Sequence, residues 1–284
     1  MLELPAVYAT LRQQCNERAH GWPHAEAIRA HFRRDERHVY RPPAFSDGHG
    51  PVGVYAMLRE NAGALAVLRG CAAAFAQCRA SLCAVLTPAQ AEQLTRQLLF
   101  VPEERAAHMC VTVFHEHPSL LTEEEHRQAW RAVDEAACAR LASALSARHA
   151  LCPRPTLWLD SLSLTVDGAC IAGFVEEPRG AFSSLRTSSA EVGVDILGAP
   201  LTSRPKALMH VTVGRVLAQP DGITPEQEAQ WAACVRKWND ETLPQFVAEI
   251  EPRSFELEHC SLVRDSVWLM TDFIEYARWR IGPE

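Results

Sequence analysis

RPKALMHVTVGRV occupies residues 204–216. Read with a period of two, it divides into an apolar edge, Met209, Val211 and Val213, and a polar edge, His210 and Thr212, with Arg204, Lys206 and Arg215 at its ends. The spacing predicts a strand that packs one side under helices and offers a histidine and a hydroxyl on the other. AAHMCVTVF, residues 106–114, repeats the pattern: Met109, Val111 and Val113 on one edge, His108, Cys110 and Thr112 on the other. Polar groups in a strand interior need a partner or a purpose. Two such strands, one in each half of the chain, predict a shared cleft.

Helices and strands alternate outward from these two stretches. Residues 5–17 and 23–35 carry short helical patterns, and the Pro- and Gly-rich RPPAFSDGHGP after them reads as a linker, so residues 1–48 form an N-terminal extension to a domain spanning 49–284. VGVYAML (52–58) has strand composition, and residues 61–86 are an alanine-rich helix. Thr87, Pro88 and Gln90 form a capping box; so do Thr122 with Glu125, ahead of a helical face of Trp130, Val133, Ala137 and Leu141, and Thr224 with Gln227, ahead of Trp231, Val235 and Trp238. TLWLDSLSLTV and GACIAGFVEE flank Asp167-Gly168 as a hairpin, and a short helix around FSSLRTSSAEV follows. SFELEHCSLV and SVWLMTDF close the chain as paired strands. The fold class expected is α+β.

Composition limits the function. The 284 residues, 48% hydrophobic, suit a folded globular chain and not a fibrous or disordered one. A formal charge of -7 argues against an extended nucleic-acid surface, because neutralising many phosphates requires a basic face. The opening residues lack a basic stretch followed by an apolar one, and no run reaches the roughly 18 apolar residues that span a bilayer, so a cytoplasmic chain without membrane contact is expected. Ten scattered cysteines, none in a CxxC pair, read as reduced core residues.

With its two histidine strands, the sequence resembles the 2H phosphoesterase superfamily, which is named for two His-x-Thr/Ser motifs, each on a central strand of one half of a pseudo-two-fold bilobal fold. The resemblance rests on Leu185-Arg186 followed by RPKALMHVTVGRV, and on the order of elements from about residue 50 to 275. It implies two antiparallel sheets lining a central cleft with helices outside. The first motif departs from the pattern: His108-Met109-Cys110 stands where a hydroxyl is usual, and HMCVTVF reads as a two-residue insertion that keeps Thr112 on the histidine's face but moves it about 6–7 Å along the strand.

The resemblance implies a metal-independent hydrolysis of a phosphodiester: a 2′,3′-cyclic phosphate, a 2′,5′ linkage or an RNA end. Such a reaction needs a base for water and an acid for the departing sugar oxygen, on opposite sides of phosphorus. Imidazole can play either part near neutral pH. By resemblance His108 and His210 are that pair, with the roles unassigned between them, and Thr212, with Cys110 or Thr112, holds the phosphate oxygens. Arg204 and Lys206 are candidate phosphate contacts, and Tyr55, Phe174 and Trp158 candidate stacking partners for a base, although core packing is the simpler role for each aromatic. No cofactor is implied; the partner is a nucleotide or RNA end, and the chain a monomer. Two other readings stay open. One is a nucleotide-binding module of the same fold without turnover. The other is a metal hydrolase built on His115 and His117 in FHEHPS, where His117-Pro118-Ser119 mimics the family motif but Pro118 cannot donate to a central ladder.

Overall fold

In a computed structural model of the chain, residues 4–24, 32–34, 40–41, 50–114, 133–198, 208–267 and 270–283 are described. The first half runs α1 (Leu4–Glu17), β1 (Arg33–Arg34), β2 (Tyr40–Arg41), β3 (Val52–Met57), α2 (Ala62–Cys83), α3 (Pro88–Gln97), β4 (Leu99–Phe100) and β5 (His108–Val113). The second runs α4 (Glu135–His149), β6 (Thr156–Leu164), β7 (Ala169–Glu177), α5 (Ala181–Leu197), β8 (His210–Val216), α6 (Pro225–Lys237), α7 (Leu243–Glu249), β9 (Ser254–Glu256), β10 (His259–Val267) and β11 (Asp272–Arg280).

The helix starts follow the side chains that cap them. Asn61 accepts from the Ala64 amide at the head of α2, and both expected capping boxes, Thr87 with Gln90 and Thr224 with Gln227, are formed with proline in the first turn. Thr122 lies outside the described residues; the described helix there, α4, begins at Glu135 with Asp134 accepting from Ala137. The expected helix at 23–35 also falls largely outside them, and Arg33–Arg34 pairs instead with Tyr40–Arg41 as a small ladder. The boundary near residue 48 is likewise outside.

Two antiparallel sheets organise the rest, in the orders β11-β10-β3-β5 and β4-β8-β7-β6-β9, which is the mixed, two-sheet architecture expected. The apolar faces of both join one core. Val54, Ala56, Met109, Val111 and Leu262 of the first sheet and Leu159, Leu162, Ala172, Phe174 and Val211 of the second belong to one buried cluster with residues of α2, α4, α5, α6 and α7. α4 and α5 pack on the four-stranded sheet and α2 on the five-stranded one. The Asp167-Gly168 hairpin is present: Gly168 has φ 81°, where a side chain would be strained, and Arg215 Nη1 binds Asp167 Oδ2 at 2.5 Å to pin the turn. Arg215 is therefore structural.

Two sequence expectations shift. The last strand is Asp272–Arg280; of SVWLMTDF, Ser266 and Val267 end β10 and Asp272 and Phe273 begin β11, and alternating polar and half-buried residues in DFIEYARWR hide the strand from a search for apolar runs. The helix around FSSLRTSSAEV is longer than expected, running 17 residues to an αL glycine, Gly198.

The first helix is stitched into the five-stranded sheet. Gly173 on β7 has no Cβ, and one added there would stand 2.7 Å from the ring of Tyr8. The bare strand lets Tyr8 lie across it, with its hydroxyl donating to Met209 O at 2.6 Å and accepting from Phe174 N at 3.1 Å. Trp22 Nε1 then donates to Thr165 O at 2.8 Å. None of the ten cysteines is in a disulfide and most are buried, in line with their sequence reading.

Candidate functional site

His108 stands at the head of β5, an edge strand of its sheet. Its Nδ1 lies 2.8 Å from Ala106 O; a carbonyl can only accept, so Nδ1 carries the proton and the lone pair of the neutral ring is on Nε2. Tyr55 packs edge-on to the imidazole, with ring centroids 5.4 Å apart. Burial lowers the His108 pKa below the ordinary histidine value, and the bond to Ala106 offsets only part of this. The ring is therefore neutral at pH 7 and half-buried.

The face parity expected for the first motif does not hold. Tyr55 pairs with Cys110 and Val54 with Thr112, so Val111 is an extra residue, a β-bulge. Cys110 keeps the face of His108, beside Tyr55. Thr112 turns to the face of Val54, is buried, and donates through Oγ1 to Arg186 O at 3.4 Å. It does not share the histidine's face: the single extra residue of the bulge reverses the parity expected for HMCVTVF.

The second motif keeps its parity. His210 lies opposite Gly173 and Thr212 opposite Ile171 on β7, both half-buried and on one face, while Val211 enters the core; a bulge follows at Val213. β4 pairs with β8 only at Arg215 and Val216, so no strand flanks His210 on that side among the described residues; β8 and β5 come into contact.

Arg186 of α5 links the two strands. Its Nη2 donates to Leu208 O at 2.5 Å and Cys110 O at 3.3 Å, while its guanidinium stacks 4.8 Å from the Phe182 ring one helical turn earlier. Tyr8 holds the next carbonyl, Met209 O. The approach to His210 is thus gripped at two successive carbonyls. Neither Arg186 nor Tyr8 stood out in the sequence as a site residue; the available signal was an arginine four residues after Phe182 on the apolar face of a helix.

The other candidates separate. Tyr55 is buried and packs edge-on against the His108 ring. Phe174 is fully buried, edge-on to Phe255 at 5.5 Å, and cannot reach a ligand, which corrects its reading as a stacking partner. Arg204, Lys206, His115 and His117 lie outside the described residues. Among the described residues no group of three or more His, Cys, Asp or Glu is arranged to hold a metal. At the end of β3, next to Met57, whose partner on β5 is His108, a polar cleft of about 440 Å³ is lined by Glu60, Asn61, His259 and Arg278.

No family model matches the chain, and no curated protein does. It is similar to the solved structure of Escherichia coli LigT complexed with NADP+, with 13% identity and a TM-score of 0.38 over 82% of this chain and 98% of that one. It is also similar to Kluyveromyces marxianus Usb1 (14%, 0.39, 81% and 98%) and to a conserved Agrobacterium tumefaciens protein of unknown function (14%, 0.44, 88% and 96%).

Proposed function

We propose that the chain is a phosphodiesterase using His108 and His210 as a general base and acid on a small substrate: a 2′,3′-cyclic phosphate, a 2′,5′ linkage or an RNA-end phosphodiester. The observation that supports it most is that the strands bearing the two histidines, each the only histidine of its strand, are held against one another through Arg186. The neutral His108 ring, with its free lone pair on Nε2, suits the base. It takes a proton from water as the water oxygen bonds to phosphorus; the P–O bond to the sugar then breaks, and the departing oxygen takes a proton from His210. Thr212 and Cys110 are the assigned holders of the non-bridging oxygens, with the thiol the weaker donor. Two imidazoles supply both proton transfers, so the reading requires no metal. The cleft beside Met57 has room for part of a nucleotide.

Adenosine 2′,3′-cyclic phosphate, a 2′,5′-linked dinucleotide and a short RNA with a cyclic 3′ end test the reading. Turnover of one of them, lost in H108A and in H210A, is expected. No turnover of any would refute it.

One observation favours a second reading. With Thr112 turned away, the first motif has no hydroxyl on the histidine's face, as a nucleotide-binding module without turnover would allow. Titration calorimetry with nucleoside monophosphates, alongside the turnover assay, separates the two: binding with no product favours the module.

A further inference from the structure

We infer that Arg186 is a positioning residue that sets how His108 and His210 stand relative to one another. The inference rests on the proposed pairing of the two histidines. It starts from an architectural gap: β5 is an edge strand, and β8 is unpaired by β4 at His210, so among the described residues no backbone ladder joins the two sheets at the histidines.

A side chain spans that gap. The carbonyls that share Arg186 Nη2 are Cys110 O, two residues after His108, and Leu208 O, two residues before His210. A displacement of one strand against the other would lengthen one of these bonds. Arg186 also receives at its own carbonyl the Thr112 hydroxyl, so α5 is attached to β5 at two points. This gives the bulge at Val111 a purpose: it turns Thr112 toward the helix that carries the clamp.

The chemistry suits a clamp better than a substrate ligand. Among the described residues no carboxylate forms an ion pair with Arg186, its guanidinium lies over Phe182, and its Nη2 is committed to main-chain oxygens. A planar guanidinium is rigid enough to hold two acceptors in fixed directions, which a lysine ammonium on a flexible stem is not. Misplacing a reacting group by about 1 Å can cost about 10²-fold in rate.

R186M and R186K test the inference, with near-UV circular dichroism to establish folding. For R186M, kcat on a 2′,3′-cyclic mononucleotide is expected to fall about 10²-fold with KM within about threefold, because positioning and not binding is lost. R186K should fall similarly despite keeping its charge. A tenfold rise in KM with kcat retained, or a matching loss of affinity for inorganic phosphate, would show Arg186 to be a phosphate ligand and overturn the inference; so would full activity in either variant. A second measurement needs no turnover. In protein labelled at histidine, the ring resonances of both His108 and His210 are expected to move in R186K; movement of one alone, or of neither, refutes the clamp even if the wild-type chain hydrolyses nothing. Should R186M not fold, R186K decides both measurements.

Discussion

Thr112 and His108 lie on opposite faces of β5, although a separation of four positions would put them on the same face in a regular strand. The extra residue at Val111 reverses everything after it. Substituting the two threonines should therefore have unlike effects. T112V is expected to leave KM within about twofold and to cost about 1 kcal/mol of stability through the lost bond to Arg186 O. T212V should lower kcat/KM by about 10- to 100-fold with little change in stability. C110T, which restores a hydroxyl beside His108, should raise kcat/KM. Steady-state kinetics and urea titration of the three variants check this.

His108 places the acid limb of the pH profile. Burial lowers its pKa, so the base stays deprotonated below the ordinary histidine range, and kcat/KM should hold to a pH below about 6.5 before falling. An alkaline limb then belongs to the acid partner. A profile whose acid limb lies above pH 7 would remove His108 from the role. Activity is expected to survive EDTA.

His149 makes the fold sensitive to acid. Trp279 Nε1 donates to its Nδ1 at 2.9 Å and its Nε2 donates to Ser189 Oγ at 3.0 Å, so both nitrogens are engaged with the ring neutral. Burial brings its pKa down to about 4. The unfolded chain takes up a proton near pH 6.5 that the folded chain refuses, so the stability associated with the neutral ring is complete above pH 6.5 and is lost as the pH falls toward 4, by up to about 3 kcal/mol. Urea unfolding at pH 7.5 and 4.5 should show a smaller pH dependence in H149Q.

Asp265 has the opposite sign. Burial pushes its carboxyl up to about 8, with Asp272 adding to the rise and the amides of Met270 and Val267 opposing it. The folded chain keeps a proton that the unfolded chain gives up near pH 4, so stability falls as the pH rises from about 4 to 8. D265N, which can still accept from Met270 N, is expected to raise the urea midpoint at pH 7.5 and to change it little at pH 4.5.

The sequence made the two histidine strands, the hairpin at Asp167-Gly168 and two of the capping boxes legible because each is a local pattern: alternation, a turn dipeptide, or a side chain three residues from the amide it caps. Local patterns miss a bulge, since register is decided jointly with the partner strand; Val111 looks like any other apolar strand residue until β3 is laid beside it. They also miss Arg186, whose two acceptors are 76 and 22 residues away in the chain. Phe174 was ambiguous for a similar reason, because an aromatic on a strand joins the core or a cleft according to what covers it. β11 escaped because an edge strand with charged and half-buried residues carries little apolar signal.

The missing side chain at residue 173 makes the first helix a plug. Tyr8 fills a notch carved in the sheet one strand away from His210, with its phenol bonded to the main chain on both sides of that notch. Shortening the chain past Tyr8 would leave a slot shaped for a phenol, and added phenol or cresol should occupy it and restore thermal stability lost by the truncation. A methyl group at that one position, G173A, would close the slot and eject the ring, making the full-length protein resemble the shortened one.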